Sequence, residues 1–159
     1  MFLRNRMLSE VKGTRDKRIK NLLAAASEFY CSNLMSSRLI HNIRINVVIK
    51  KNLEEDGFCC IEEYNKSGKP REFTIEIDKA LNLKTMLLVL AHECVHVKQY
   101  ATGELDDSLS VWRGRKVNSD KVPYWEHPWE IEAYGREKGL YVRFAEKHDL
   151  GKIDKMTLT

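Results

Sequence analysis

The residues best suited to chemistry are gathered in five positions, His92-Glu93-Cys94-Val95-His96, inside the run 87–100, LLVLAHECVHVKQY. On a helix, side chains four positions apart lie one turn apart on the same face. The rings of His92 and His96 can therefore share one metal ion. Neutral imidazoles suit zinc, with bonds of about 2.0–2.1 Å. Glu93 follows the first histidine and so sits beside such an ion without ligating it. There a carboxylate can take a proton from a metal-activated water and pass it on. The surroundings favour a helix: 86–91 is apolar throughout, Asn82 is a ready N-cap and Gly103 a ready terminator. Tyr100, one turn beyond His96, is a candidate donor to a substrate oxyanion.

A catalytic zinc site wants three protein ligands and one open position. The longer metzincin-type pattern takes its third histidine from the same stretch, after a glycine. Here Gln99 and Thr102 stand at those places, so the ligand must come from elsewhere. Candidates lie in 126–133, EHPWEIEA, which holds Glu126, His127, Glu130 and Glu132. Pro128 opens a helix expected to run to about His148, with proline at its first position. Helical spacing puts Glu130, Ala133, Tyr134, Glu137, Tyr141 and Phe144 on one comparatively apolar stripe. Glu132 shares the other side with Arg136, Gly139 and Arg143, where a surface pair with Arg136 is its expected role. His127 reads as a donor, a ligand or a helix-entry residue, and Tyr134 as a hydrogen-bonding neighbour of the site.

Other elements must position these groups. Residues 14–39 read as an amino-terminal helix capped by Thr14 or Asp16, with Leu22, Leu23, Ala26, Phe29, Tyr30 and Leu34 at helical spacing. Three strand-like runs follow at 43–49, 57–64 and 72–78. Asp56-Gly57 and Ser67-Gly68-Lys69-Pro70 mark short connections, which favour an antiparallel meander. Residues 103–127 are irregular, with either a strand or a bent hairpin around Gly114 expected in 108–117 and Trp112 as its anchor. The expected fold is α+β: a helix, a three-stranded antiparallel sheet, the His-Glu-x-x-His helix and a second helix at the carboxyl end.

That order, with LAHECVHVKQYATGEL followed by HPWEIEAYGRE, resembles the gluzincin branch of zinc metallopeptidases, in particular small stand-alone minimal zincins often encoded by phages and bacteria. The likeness covers the two motif helices, about 83–148, and the remainder only by order of elements. It implies a zincin-like fold, peptide hydrolysis with Zn2+, Glu93 as base, and a third ligand on the second helix. Mapped residue by residue, that ligand is Glu130, and Tyr134 stands where the related Glu-x-x-x-Asp pattern has its aspartate. It also implies a peptide or protein substrate, added as a strand along 72–78. A weaker resemblance to SprT-like and ImmA-like proteins keeps a DNA-associated repair or regulatory role as an alternative, beside a zinc-bound binding module without turnover.

Length and composition agree with one globular domain of 159 residues, 43% apolar and 31% charged. No apolar run approaches the roughly 18 residues of a membrane span. Arginines interrupt the first residues where a signal peptide would need its apolar segment. Cys31, Cys59, Cys60 and Cys94 form no C-x-x-C pair, and free thiols in a reducing cytoplasm are expected. The net charge of +4 is concentrated near the amino terminus. Residues 1–13 are accordingly set apart as a basic segment, 14–150 as the domain and 151–159 as a tail. The basic segment is the one feature that suits nucleic acid, and no aromatic residues interleave with its charges as a single-strand-binding surface would need.

Overall fold

Alternation decides the sheet. Side chains along a strand point to opposite faces in turn, and Ile43, Ile45, Val47, Ile49, Phe73, Ile75 and Ile77 are all buried together. In the computed structural model, which describes residues 7–151, these runs form β2 (Arg44–Lys50) and β4 (Pro70–Asp78). With β1 (Leu8–Lys12) and β3 (Gly57–Tyr64) they make a four-stranded sheet in the order β1-β2-β4-β3. The opposite face carries polar pairs such as Lys50 with Glu76 and Asn46 with Glu72.

The sheet is mixed, which corrects the expected three-stranded antiparallel meander. β1 and β4 both run parallel to β2, and only β3 is antiparallel to its neighbour β4. One short connection behaves as expected. Asn65 accepts from the amides of Ser67 and Lys69, and Gly68 takes φ +75, closing a β3–β4 hairpin. The other connection, 51–56, is long enough to step over the end of β4, so β2 and β3 never pair. β4 is thus hydrogen-bonded on both sides, and a chain added near the motif helix finds its free edge on β3.

Helices cover the apolar face. α1 (Lys17–Leu34) is capped by Asp16, which accepts from the amides of Arg18 and Ile19. The expected helix over 14–39 breaks after Leu34, where Met35 is extended and Ser36 caps the short α2 (Ser37–Ile40). α3 (Leu83–Ala101) carries the histidine motif and starts at Asn82, whose side chain accepts from Thr85. It is buried along almost its whole length, between the sheet and the flanking α1 and α4 (Pro128–Lys147). Tyr30 of α1 donates to the Leu87 carbonyl of α3 at 3.1 Å and packs on Phe144 of α4 at 5.7 Å between ring centres. Between α3 and α4 lies the hairpin β5 (Val111–Trp112) and β6 (Arg115–Lys116), turning at Arg113-Gly114 with positive φ at both. Trp112 rests on Trp129 of α4, at 6.4 Å.

Met7 and Val11 are core residues, and β1 completes the parallel side of the sheet. Part of the segment expected to be a basic arm is therefore structural; its first six residues, and the tail from 152, lie outside the described residues. Deletion through Lys12 should destabilise the chain by at least about 3 kcal/mol, which is a fall of at least about 6 °C in melting temperature for a chain of this size. Calorimetry of the truncated protein checks it; an unchanged transition would show β1 to be dispensable.

Candidate metal centre

Two helices build the site. Spacing on α3 brings the His92 and His96 rings onto one face, and the first turn of α4 delivers Glu130 opposite them. All three residues are buried, at 8%, 9% and 8% exposure. Nε2 of His92 and Nε2 of His96 are 3.2 Å apart. The Glu130 carboxylate lies 3.2 Å from the first and 3.4 Å from the second. Four ligands at about 2.0–2.1 Å around zinc would stand roughly 3.3–3.4 Å from one another in a tetrahedron. The two ring nitrogens and the two carboxylate oxygens that face them stand at about that spacing, and these three residues form a group among the described residues that could hold a metal ion.

The ring tautomers follow from the outer partners. His92 Nδ1 donates to Glu137 at 2.8 Å, and His96 Nδ1 donates to the side-chain oxygen of Gln99 at 2.8 Å. Both Nε2 lone pairs then face inward, as metal ligation requires. Gln99 cannot rotate away, because its amide donates to the Trp129 carbonyl and to Glu132. Glu132 is held in turn by Lys98 at 3.0 Å and by Arg113. The expected Glu132–Arg136 pair forms, at 3.6 Å, but Glu132 has a further duty: it also points inward to the buried Lys98 and braces Gln99.

Electrostatics at the centre favours positive charge. Burial pulls the His92 imidazolium down, yet hydrogen bonds to Glu130 and Glu137 outweigh it and hold its pKa up to about 9. His96 is raised by the same balance, with burial opposed chiefly by Glu130. Burial would raise Glu130, but bonds from His92 and His96 hold it well below the usual carboxylate range. These are the shifts of a site that wants a cation between its rings, supplied by protons or by a metal.

The other expected residues fall in different places. Glu93 is 5% exposed, lines the same cleft, and is raised mainly by burial. Tyr100 also lines the cleft. The Tyr134 ring packs edge-on against His92 at 4.5 Å. His127 stands outside the metal group: its Nε2 faces the carbonyls of Ser119 and Val122, tying down the loop before α4. Sequence reasoning missed the duties of Glu137, Gln99 and Tyr124. Glu137 takes the carboxylate role for which Tyr134 occupies the expected position, and its place on the Glu130 stripe was the signal for it. Tyr124 donates to Glu130 at 2.8 Å from a 3-10 turn (Tyr124–Glu126) that no periodicity announces.

The cleft is about 570 Å³ and runs from the metal group to the start of β3. No family model matches the chain, and neither does any curated protein or solved structure. Fold and site together define an α+β protein with a buried His-His-Glu group competent for a metal ion. Among the described residues no helix is long and apolar enough to cross a membrane.

Two measurements probe this arrangement. Replacing Glu137 by Ala, or Gln99 by Leu, should weaken metal affinity about 10–100-fold, whereas Glu132→Ala should act mainly on stability, costing about 1.5–3 kcal/mol as the buried Lys98 is left with Glu104 alone. Competition with a chelating dye and urea denaturation separate the two. The second is a pH effect. In metal-stripped protein the stability due to His92 is complete below its ordinary 6.5 and is lost as pH rises through about 9. Over the same window metal affinity should rise, by up to about tenfold per unit, as the competing proton leaves.

Proposed function

We propose that this chain is a zinc-dependent peptidase, with His92, His96 and Glu130 as ligands and Glu93 as general base. The observation that carries the reading is the set of three inward-facing residues whose donor atoms stand at about the spacing of zinc-tetrahedron corners, beside a buried carboxylate that opens into the same cleft. Soft thiolates are absent from the set, and two imidazoles with one carboxylate suit zinc. Bound there, zinc supplies Lewis acidity, polarising a scissile carbonyl and acidifying the attacking water.

The chain's own residues do the rest. Glu93 takes the proton from that water and returns it to the leaving amine. Its burial raises its pKa, which brings it closer to the working pH of an acid–base group. Glu137 and Gln99 hold the rings in the ligating tautomer. Tyr124 fixes Glu130 and stands beside the cleft with a hydroxyl that can turn to a substrate oxygen. The substrate backbone pairs with the free edge of β3, since β4 is saturated on both sides.

Glu93→Gln keeps shape and ligands, so it should retain zinc and lose at least about 100-fold in turnover. Zinc content by elemental analysis and cleavage of a mixed peptide library, with and without chelator, test this. Near-native cleavage by the variant would sink the mechanism.

A further inference from the structure

Among the described residues, Asn52, Leu109, Arg113 and Asp149 take positive φ without being glycine. Asn and Asp tolerate that region, and Arg113 belongs to the β5–β6 turn, which demands it. Leu109, at φ 55, has neither reason. A branched apolar residue is disfavoured there and persists only where its surroundings over-determine it. Here they do. The Asp106 carboxylate accepts from the amides of Ser110 at 2.7 Å and Val111 at 2.8 Å, and from the hydroxyls of Ser108 and Ser110. The Asp106 carbonyl accepts from the amide of Leu109 itself at 3.2 Å. The loop 106–111 is thus wound around one side chain, with Leu109 at its turn.

Core packing does not offset this strain. Leu109 is half-buried, stands outside the hydrophobic core and lines the cleft of the metal group. The loop is also fixed to the walls of that cleft. At its base Leu105 donates to the Gln99 carbonyl at 3.1 Å, next to Tyr100, and Trp112 rests on Trp129. At its outer side Asp107 accepts from the Tyr64 hydroxyl at 2.9 Å, at the end of β3. Tyr100 and Trp129 line the cleft as Leu109 does. An apolar side chain is therefore held at the Tyr100 end of the cleft, one helical turn past His96. The cleft lining holds no lysine or arginine, and the Glu130 carboxylate is engaged by His92 and Tyr124. Aliphatic and aromatic surface of this kind suits an apolar ligand group. A peptide laid along β3 and past the centre meets it.

We propose that Leu109 is a specificity-determining residue: with Tyr100 and Trp129 it walls a subsite that takes a leucine-sized apolar side chain of a peptide bound along β3. The proposal rests on the reading of the centre as a peptidase site and adds the substrate class. The test uses the full chain carrying Glu93→Gln, loaded with zinc. Its probes are labelled peptides in which one Leu, Ala or Lys is moved through each position of an otherwise neutral, polar sequence. Binding is read by fluorescence anisotropy. At one position Leu should bind at least about tenfold tighter than Ala, and Lys no tighter than Ala. Adding Leu109→Gly removes the wall and should reduce the Leu-to-Ala ratio to less than about threefold. The same change should keep or raise the melting temperature, since glycine adopts positive φ without strain. A leucine with a structural role alone would do the opposite, leaving the ratio intact and lowering the transition. Adding Leu109→Phe narrows the subsite and should weaken the Leu peptide at least about fivefold relative to Ala. Absence of binding, equal binding of Leu and Lys at every position, a Leu preference that survives either substitution, or a fall of more than about 3 °C in melting temperature with Leu109→Gly would overturn the subsite. Wild-type chain is run alongside on the same peptides for cleavage. Cleavage without a Leu preference removes the subsite and leaves the peptidase; a Leu preference in binding with no cleavage by the wild type removes the peptidase and leaves the subsite.

Discussion

Three lone pairs converge where α3 meets α4, and electrostatics does not permit that without positive charge between them. Two imidazole nitrogens at 3.2 Å and a carboxylate at a similar distance repel one another strongly in a buried setting. Much of the structure maintains this arrangement. The outer nitrogens are fixed by Glu137 and Gln99, Gln99 by Glu132 and a backbone carbonyl, and Glu132 by Lys98 and Arg113. Even Trp112 and the hairpin that carries it serve the same end, by packing on the first turn of α4 next to Glu130.

A helix as buried as α3 ordinarily carries few polar groups. Here His92, Glu93, His96, Lys98 and Gln99 are all buried. Among the described residues no fully buried side-chain nitrogen or oxygen lacks a partner. Such networks are stable only when complete, since each unmatched member carries its full desolvation penalty. The polar face of α3 is therefore tied to α4, and the two helices form one cooperative unit across which the ligands are divided.

Local chemistry was legible in the sequence wherever a single element decides it. The caps at Asp16 and Asn82, the alternating strands, the hairpin at Gly114 and the approach of Glu130 to the two histidines all follow from spacing and residue type. What escaped depends on pairing across the chain. The strand Leu8–Lys12 is short and carries charges at Glu10 and Lys12, so alternation alone did not distinguish it from an arm. The connection 51–56 has the turn signals of a hairpin, and its crossing over β4 is settled by non-local register. Glu132 looked like a surface residue because Arg136 lies one turn away; the competing cation, Lys98, comes from another helix and is already buried there.

The edge of β3 presents a problem of self-recognition. An open strand edge with Phe58 exposed is a template for a second copy of the same chain. This one is guarded by sequence symmetry. If two such edges met antiparallel about Cys59, Glu55 would face Glu63 and Asp56 would face Glu62; if they met in parallel, each acid would face its own copy. A register shift between Ile61 and Glu63 also bends the strand at its far end. The usable edge is thereby confined to the few residues from Gly57 to Ile61. Identical neighbours are turned away by like charge.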